Sequence, residues 1–326
     1  MASLPSFNAS TTSDEVGSAL SESIAGKNVL ITGTSLKSIG YETARAIAKR
    51  AALVIITGYN RERLEQSAAS LRADNPSAEI RTLVLDLSSL AAVRDSAVTV
   101  NAYPEPLHVL IHNAADSSGV IRITEDGFDA QMATDYFGPF LLTKLLLPKL
   151  LASATADWVP RVVVVSSNVQ EKIPGLDWAT LRRPAEGSPQ ASDVWFRYPE
   201  TKAAGALFAL ELARRGSGKL HAFSLHPGII MTNAHEKDVL IPGMIRLGVL
   251  NKDGTPNPVH SWKTLAQGSA TTVVASFDPR ITDSSGGFLT DCVIANERRS
   301  PFCSDPENGK KLWKLTEELI GEEFEL

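Results

Sequence analysis

Two side chains suited to proton transfer, Tyr198 and Lys202, lie four residues apart. On a helix this spacing places both side chains on one face, a single turn from each other. A phenol ordinarily has a pKa of about 10, which is too high for a base at neutral pH. A neighbouring ammonium favours the phenolate and so lowers that pKa. The pair is suited to moving a proton between an alcohol and a carbonyl, although the same spacing also occurs on ordinary solvated helices.

A glycine-containing turn, Gly33 to Gly40, joins an apolar run at 29–32 to a helical segment at 40–52. Gly33 permits a tight turn, and Gly40 lets the helix begin close to a sheet. Backbone N–H groups at such a helix start can bind a pyrophosphate. The spacing is not Gly-x-Gly-x-x-Gly, so an ordinary loop between a strand and a helix is the alternative interpretation.

Composition excludes several classes of function. The 326 residues carry a net charge of -5, without a block of like charge, which argues against nucleic acid as the main partner. Cys292 and Cys303 form no disulfide framework, and the six histidines have no metal-binding spacing, so we expect no metal site and a cytoplasmic location. Residues 1–25 lack the pattern of a secretory signal. The most apolar run, 137–151, is too short and too charged to span a bilayer.

Short apolar runs alternate with helical segments along the chain, which is typical of βαβ units. This pattern predicts an α/β fold, a Rossmann-like doubly wound parallel sheet of about seven strands with helices on both faces. We expect an N-terminal arm at 1–25, one catalytic domain at 26–326 and an insertion loop at 181–192. The predicted strands are 29–32, 53–57, 80–85, 107–112, 161–166, 219–225 and 286–289, and helices are predicted at 40–52 and 61–72.

The order of these motifs resembles the single-domain short-chain dehydrogenase/reductase family, in its retinol-dehydrogenase-like group with fungal-type relatives. The resemblance runs from about residue 26 to 295. The glycine turn matches Thr-Gly-x-x-x-Gly-x-Gly with one extra residue and with Ser38 in place of the middle glycine. His-Asn-Ala-Ala at 112–115 matches the family's Asn-Asn-Ala-Gly. The resemblance implies an NAD(P)-dependent oxidoreductase that interconverts an alcohol and a carbonyl.

The resemblance also implies four catalytic positions. Ser167, at the end of the fifth strand, matches the catalytic serine, Tyr198 the base, and Lys202 its lysine, which also bonds the cofactor ribose. Asp135 stands where the family has an asparagine that helps to hold a water in the proton relay. A carboxylate cannot donate as an amide does, and it adds negative charge near Lys202. We therefore expect a retained relay with altered proton handling, unless the relay uses only the backbone carbonyl of this residue.

By the same resemblance, the residues that hold the cofactor lie in loops that follow the strands. They are Gly33, Ser35, Lys37, Ser38, Ile39, Gly40, Tyr59, Asn60, Arg61, Asp86, Leu87, Asn113, Ala114, Tyr198, Lys202, Pro227, Gly228, Ile230 and Thr232. NAD-specific relatives have a carboxylate at the end of the second strand, and residues 57–61 contain none. Lys37 and Arg61 could instead meet a 2′-phosphate, with Tyr59 packed on the adenine. We predict NADP(H), with NAD(H) as the alternative; both cations could also be solvated surface charges.

Apolar side chains are frequent where the family places its substrate. The segment between Ser167 and Tyr198 is long and includes Trp178 and Trp195, and the family's mobile lid corresponds to about 233–262. These features predict a hydrophobic small-molecule substrate of terpenoid, aromatic or polyketide-like type. The same residues could instead serve as core or subunit contacts. Family resemblance further suggests a homodimer or homotetramer associated through the helices at 137–151 and 198–214.

Two other function classes remain open. Ser38 and Asp135 depart from the family pattern, which is compatible with a cofactor-binding sensor or scaffold that has lost catalysis. The intact Ser167, Tyr198 and Lys202 oppose that alternative. A sugar-nucleotide epimerase or dehydratase of the extended group would need a C-terminal substrate domain, and the chain after Thr232 is too short to supply one.

Overall fold

Ten strands are present in residues 4–326, the part of the chain that the computed structural model describes. They are β1 (Asn28–Ile31), β2 (Leu53–Gly58), β3 (Ile80–Val84), β4 (Val109–His112), β5 (Arg161–Val165), β6 (His221–His226), β7 (Ile229–Ile230), β8 (Trp262–Lys263), β9 (Phe288–Thr290) and β10 (Val293–Ile294).

Eight of these strands form one sheet, in the order β10-β9-β6-β5-β4-β1-β2-β3. All neighbouring pairs are parallel except β9 with β10, which is antiparallel. The strand order reverses between β1 and β4, which defines a doubly wound sheet and opens a crevice at the carboxyl ends of these strands. The Rossmann-like prediction is confirmed. The seven predicted strands are present with ends within two residues of those predicted, and β10 was not predicted.

Helices cover both faces of the sheet. They are α1 (Ser13–Ala19), α2 (Ser21–Ile24), α3 (Ile39–Ala48), α4 (Arg61–Asp74), α5 (Leu90–Asn101), α6 (Ala130–Met132), α7 (Gly138–Leu151), α8 (Val194–Gly216), α9 (Ile241–Arg246), α10 (Leu265–Phe277), α11 (Pro301–Ser304) and α12 (Pro306–Ile320). A π-helical turn, Ala133–Phe137, joins α6 to α7. The helix predicted at 40–52 ends earlier, at Ala48, and the one predicted at 61–72 continues to Asp74. Among the helices of residues 4–326, none combines the length and the apolar character of a membrane-spanning segment.

Strands β1, β2, β4 and β5 contribute side chains alternately to two hydrophobic cores. In β1, Leu30 joins the core beneath α5, α7, α8 and α12, whereas Val29 and Ile31 join the core beneath α1, α3, α4 and α10. Successive side chains of a strand point to opposite faces, so a strand buried on both faces must be apolar throughout. This requirement explains why the strands were visible in the sequence as continuous apolar runs.

The predicted N-terminal arm contains two ordered helices within residues 4–25. Val16, Leu20 and Ile24 are buried, and α1 packs on α3 and α10. Asp14 accepts hydrogen bonds from Arg45 at 2.5 Å and from Lys49 at 2.6 Å. The arm is therefore attached to the sheet layers through both apolar and ionic contacts.

The C-terminal helix α12 occupies the surface through which we expected subunits to associate. The Trp313 ring packs against Phe140 of α7 and Phe208 of α8, with centroids 4.9 and 5.9 Å away. Leu207 and Leu212 of α8 are fully buried in the same core. The part of α7 and α8 around Phe140 and Phe208 is thus covered by the chain itself.

Candidate active site

Six loops with predicted site residues meet at one edge of the sheet. Because neighbouring parallel strands end on the same side, the loops after β1, β2, β3, β4, β5 and β6 all open into the crevice at their carboxyl ends. The glycine turn follows β1, and the loop after β4 lies across the point where strand order reverses. The fold therefore brings together side chains that are distant in sequence.

The glycine turn packs directly against the loop after β4. Gly33 has φ +72°, and a Cβ there would lie 2.7 Å from the Cα of Ala114. The Asn113 side-chain amide donates to the carbonyls of Thr32 and Gly33, at 2.9 Å each. A side chain at Gly40 would collide with Asn113 and the Gly33 carbonyl. This close backbone approach at the start of α3 suits a dinucleotide pyrophosphate.

Ser38 ends the glycine turn as the N-cap of α3, where its hydroxyl accepts from the N–H of Tyr41 at 3.1 Å. Ser35 and Ile39 flank this cap and are half-buried. Lys37 has φ +60° and forms an ion pair with Glu236 at 2.8 Å, both side chains being mostly exposed. The lysine predicted to meet a 2′-phosphate thus already has a carboxylate partner.

The loops after β2 and β3 present polar groups at the rim of the crevice. Tyr59 is 71% exposed, and Arg61, the first residue of α4, is also exposed. The Asn60 side chain accepts from the N–H of Arg63 and so caps α4. Asp86 is exposed and accepts from the backbone N–H and hydroxyl of Ser88, at 2.9 and 2.7 Å, while Leu87 is buried.

The segment after β6 turns sharply and then pairs with the predicted lid. Pro227 is buried, and Gly228 has φ +102° with the Lys263 side chain directly behind it. Ile230, in β7, is buried and pairs with Lys263 of β8. Thr232 caps the 3₁₀ turn Asn233–Glu236 by accepting from the N–H of Ala234 at 3.3 Å.

Helix α8 carries Tyr198 and Lys202 and is anchored to the end of β5. The Ser166 hydroxyl donates to the Lys202 carbonyl at 2.7 Å, which fixes this helical turn relative to the strand end. Tyr198 is half-buried, and the Lys202 Nζ lies 5.4 Å from the centroid of its ring. Ser167 is buried, and its hydroxyl lies 3.4 Å from the side-chain oxygen of Asn168 rather than bonding Tyr198.

Asp135 lies at the centre of the site and forms an ion pair with Lys202, Oδ2 to Nζ at 3.0 Å. Its other oxygen accepts from the Asp116 N–H at 2.7 Å. Burial raises the pKa of Asp135, an effect that Lys202 partly offsets. Burial opposes the charge of Lys202, but Asp135 and Tyr198 favour it, and the pKa of Lys202 is raised overall. Lys202 is therefore a cation at neutral pH, with Asp135 as its counter-ion.

Two groups that support the site, Thr201 and Thr32, were not among the predicted site residues. Thr201 Oγ lies 3.1 Å from Asp135 Oδ2 and 3.0 Å from the Tyr198 carbonyl, so its one proton can be given to either. Thr32 Oγ accepts from the N–H groups of Asn113 and Ala114 at 3.0 Å each. The position of Thr201, one turn after Tyr198, was the only sequence feature that could have predicted its role. No sequence feature predicted the π-helical turn that carries Asp135.

A buried ionic cluster holds the segment before α8 in place. Arg197 is 1% exposed, forms an ion pair with Glu200, and donates to the carbonyls of Thr180 and Leu181 at 3.0 and 2.5 Å. Its Nε lies 3.6 Å from Asp129. The cluster adjoins Tyr198 in sequence, so the first turns of α8 are fixed by buried charges.

An opening of about 200 Å³ lies between α8 and the predicted lid. Its lining includes Trp195, Val239 and Gly243, together with the ion pair between Asp193 and Arg246. The Trp195 ring is 5.8 Å from that of Tyr198, edge to face, so the opening is adjacent to the phenol. Within residues 4–326 no cluster of three or more His, Cys, Asp or Glu side chains could hold a metal ion.

Comparison with known proteins places this geometry in a family. Residues 27–177 match the sequence family described as short chain dehydrogenase. The chain is 34% identical over 311 residues to the WW domain-containing oxidoreductase of Danio rerio, a match that covers 92% of this chain and 70% of that protein. It is 32% identical over 305 residues to retinol dehydrogenase 12 of Homo sapiens, covering 93% and 89%.

A solved structure of a protein from Mycobacterium paratuberculosis has a TM-score of 0.67 to this chain, with 28% identity and coverage of 93% and 96%. Fold and crevice together define an oxidoreductase of Rossmann-like architecture. The chain belongs to the short-chain dehydrogenase/reductase family, within its retinol-dehydrogenase-like group. It is an NAD(P)-dependent oxidoreductase of alcohols and carbonyls.

Proposed function

We propose that Tyr198, Lys202 and Ser167 catalyse the interconversion of an alcohol and a carbonyl on a hydrophobic small molecule. The observation that carries this proposal is the position of the Lys202 ammonium, 5.4 Å from the Tyr198 ring, beside a buried serine at the end of β5. Tyr198 exchanges the proton with the substrate oxygen, and Ser167 donates a hydrogen bond to the same oxygen. The Lys202 ammonium lies beside the phenol, and its charge is balanced by Asp135.

The cofactor, when bound, supplies or accepts the hydride. Gly33, Ser35, Ser38, Ile39 and Gly40 would hold its pyrophosphate at the start of α3. The adenosine half would contact the loops after β2, β3 and β4, and the nicotinamide half would contact the segment after β6. These positions are Tyr59, Asn60, Arg61, Asp86, Leu87, Asn113, Ala114, Pro227, Gly228, Ile230 and Thr232, with Lys202 also bonding the ribose.

NADP(H) is the proposed cofactor, because no carboxylate at 57–61 opposes a 2′-phosphate and Arg61 and Lys37 supply nearby positive charge. Comparison of kcat/KM for the two reduced dinucleotides tests this preference. We expect NADPH to be favoured at least about tenfold, the effect of one charge-assisted contact. Comparable values with NADH would remove the preference.

A lipophilic substrate is proposed from the apolar side chains beside Tyr198. Trp195 and Val239 line the opening next to the phenol, and residues 233–262 act as a lid over it. One relative's name, retinol dehydrogenase, refers to a lipophilic alcohol, which supports this class. We expect terpenoid, aromatic or polyketide-like carbonyls to be reduced, and turnover restricted to small hydrophilic alcohols or sugars would contradict the proposal.

A catalytically impaired sensor or scaffold is the alternative, because Asp135 and Ser38 depart from the family pattern. The two functions predict different changes in the near-ultraviolet absorbance of the reduced nicotinamide. An enzyme consumes NADPH with at least one lipophilic carbonyl, and Tyr198→Phe reduces that rate about 10²- to 10⁴-fold. A sensor binds the dinucleotide but leaves the absorbance unchanged in both proteins.

A further inference from the structure

A second cleft, of about 450 Å³, lies at the opposite edge of the sheet, where β1, β5 and β6 begin. Lys27 directly precedes β1, Arg161 begins β5 and His221 begins β6, and all three line the cleft. The amino ends of parallel strands lie away from the candidate active site. The cleft shares no lining residue with the crevice described above.

Arg161 is a buried cation without a counter-ion. It is 3% exposed, and its guanidinium donates to the carbonyls of Ala275 and Asp278 and to the hydroxyl of Thr282, at 3.2, 2.9 and 3.1 Å. The Asp278 carboxylate is bonded by Arg280 instead. Within residues 4–326 Arg161 forms no ion pair, and its Nε has no hydrogen-bond partner. Such a charge is costly to bury unless an anion accompanies it.

Burial lowers the pKa of Arg161 to about 10, an effect that Asp278 partly offsets. The guanidinium therefore remains charged at neutral pH. Its Cζ lies 5.7 Å from the Trp158 ring and 5.6 Å from the Phe223 ring. These aromatic faces hold the cation in place but do not neutralise it.

Two more buried polar atoms around the same cleft have no hydrogen-bond partner among the described residues. They are Nδ1 of His221, a residue 8% exposed, and Nε1 of Trp158, a residue 9% exposed. Nearly all buried polar groups in folded proteins are hydrogen-bonded. These three atoms have almost no accessible surface, so a ligand in the cleft reaches them after a small shift of the side chains that cover them. Lys27 Nζ lies over the Trp158 ring at 4.7 Å and adds positive charge at the mouth.

We propose that this cleft binds a small carboxylate, with Arg161 as the charged partner and His221 and Trp158 as hydrogen-bond donors. Glu22 and Asp157 at the rim are exposed carboxylates, and their repulsion disfavours a doubly charged oxyanion such as phosphate. Phe277 and Pro279 supply an apolar wall for the body of the acid. The site is independent of the proposed catalytic function.

Isothermal titration with benzoate tests the proposal, with acetate and inorganic phosphate as parallel probes. The protein is saturated with dinucleotide, so that the crevice at the opposite edge is filled, and ionic strength is held constant with sodium chloride. We expect one saturable benzoate site, with phosphate binding more weakly. Lys27→Met should weaken binding several-fold and Arg161→Met about tenfold or more. Lys314→Met, which removes an exposed cation on α12, should leave it unchanged.

Failure of wild-type protein to bind any of the three probes would overturn the proposal, as would equal affinity in all variants. Tighter binding of phosphate than of benzoate would overturn the assignment to a carboxylate. Because loss of Arg161 can unfold the protein, the imidazole nitrogen resonances of His221 provide a second measurement on the wild type. They should shift on benzoate saturation, and unchanged resonances would contradict the site.

Discussion

Asp135 changes the charge around the proton-transfer pair. Its carboxylate lies 3.0 Å from the Lys202 ammonium, and both groups are buried. An asparagine here would leave the ammonium uncompensated beside Tyr198. The carboxylate reduces the positive field at the phenol and at the same time keeps Lys202 charged.

Replacement of this carboxylate should shift the pH dependence of the reaction. In Asp135→Asn the Lys202 ammonium loses the partner that raises its pKa most, so the pKa of Lys202 falls. We therefore expect the alkaline limb of alcohol oxidation to move to lower pH. The pH dependence of kcat/KM measures this limb.

Asp278→Asn is the matched control, because Asp278 is a buried carboxylate that pairs with Arg280 near the opposite edge of the sheet. Its profile should equal that of the wild type. If Asp135→Asn also gave the wild-type profile, altered proton handling by Asp135 would be rejected, and its backbone carbonyl would suffice for the relay.

His112 makes stability depend on pH. It is fully buried, and burial lowers its pKa to about 3, well below the ordinary 6.5. The unfolded chain therefore binds a proton more readily than the folded protein. The contribution of neutral His112 to the free energy of unfolding is fully present above about pH 6.5 and is lost as the pH falls below that value. At pH 5 this one histidine lowers the free energy of unfolding by about 2 kcal/mol relative to neutral pH. His226, whose pKa burial lowers to about 4, acts in the same direction.

Urea unfolding at pH 7.5, about one unit above the ordinary histidine pKa, and at pH 5, about one and a half units below it, measures this loss. His112→Gln keeps a polar group near Thr143, the present partner of Nε2 at 2.7 Å, but does not titrate. We expect the variant to lose about 2 kcal/mol less than the wild type between the two conditions. Equal losses would show that His112 does not carry this dependence.

Resemblance to the family located Asp135 and its closeness to Lys202, but not the groups that hold it. The Asp116 N–H and the Thr201 hydroxyl, which reach the carboxylate, are 19 and 66 residues away from it in the chain. Sequence spacing does not predict such contacts. The Lys37–Glu236 ion pair was missed for the same reason, since 199 residues separate its members.

At the scale of elements, the start of the lid is attached to the glycine turn. The N–H and side-chain amide of Asn233 donate to the carbonyls of Lys37 and Leu36, at 3.2 and 3.0 Å. Lys237 Nζ reaches the Ser117 carbonyl at 2.8 Å. The turn that would hold the cofactor phosphates and the segment over the substrate are therefore joined by direct hydrogen bonds.

Glu236 should compete with a 2′-phosphate for Lys37. The pair is exposed, so its loss should change stability by less than about 1 kcal/mol. Glu236→Gln frees the lysine, and we expect the KM for NADPH to fall several-fold while that for NADH stays constant. Steady-state kinetics with both dinucleotides, beside the neighbouring exposed-acid variant Asp238→Asn, provides the test. An equal change for both cofactors would place Lys37 away from the 2′-phosphate.

The strands could be predicted because burial on both faces leaves a continuous apolar run, as in the four valines of β5. The helix ends were predicted less accurately than the strands, because nothing in the composition of 49–52 marks the end of α3 at Ala48. Strand β10 has only two residues, Val293 and Ile294, too few for a pattern. No helix was predicted at 306–320, where the family resemblance ended and α12 begins after its cap Asp305.

At the scale of the molecule, α12 completes the core that α7 and α8 begin. Trp313 is 1% exposed and contacts the rings of Phe140, Phe208 and Phe324. Association through α7 and α8 as a homodimer or homotetramer stays a prediction.

Trp313→Ala should lower the free energy of unfolding by about 3–5 kcal/mol, because it leaves a large cavity between α12 and the two helices. Chemical denaturation measures the loss, with Lys314→Ala, the exposed neighbour on the same helix, expected within about 0.5 kcal/mol of wild type. A loss below about 1 kcal/mol for Trp313→Ala would mean that α12 is not part of the core.

The central claim is that the Tyr198 phenol, beside the Lys202 ammonium, exchanges a proton with the substrate oxygen. A crystal structure with dinucleotide and a lipophilic product tests it most directly. We expect the Tyr198 hydroxyl about 2.6–3.2 Å from the product oxygen, with Ser167 Oγ at a similar distance. A phenol turned away from the product and the nicotinamide ring, with the product oxygen bound by other groups, would contradict the claim.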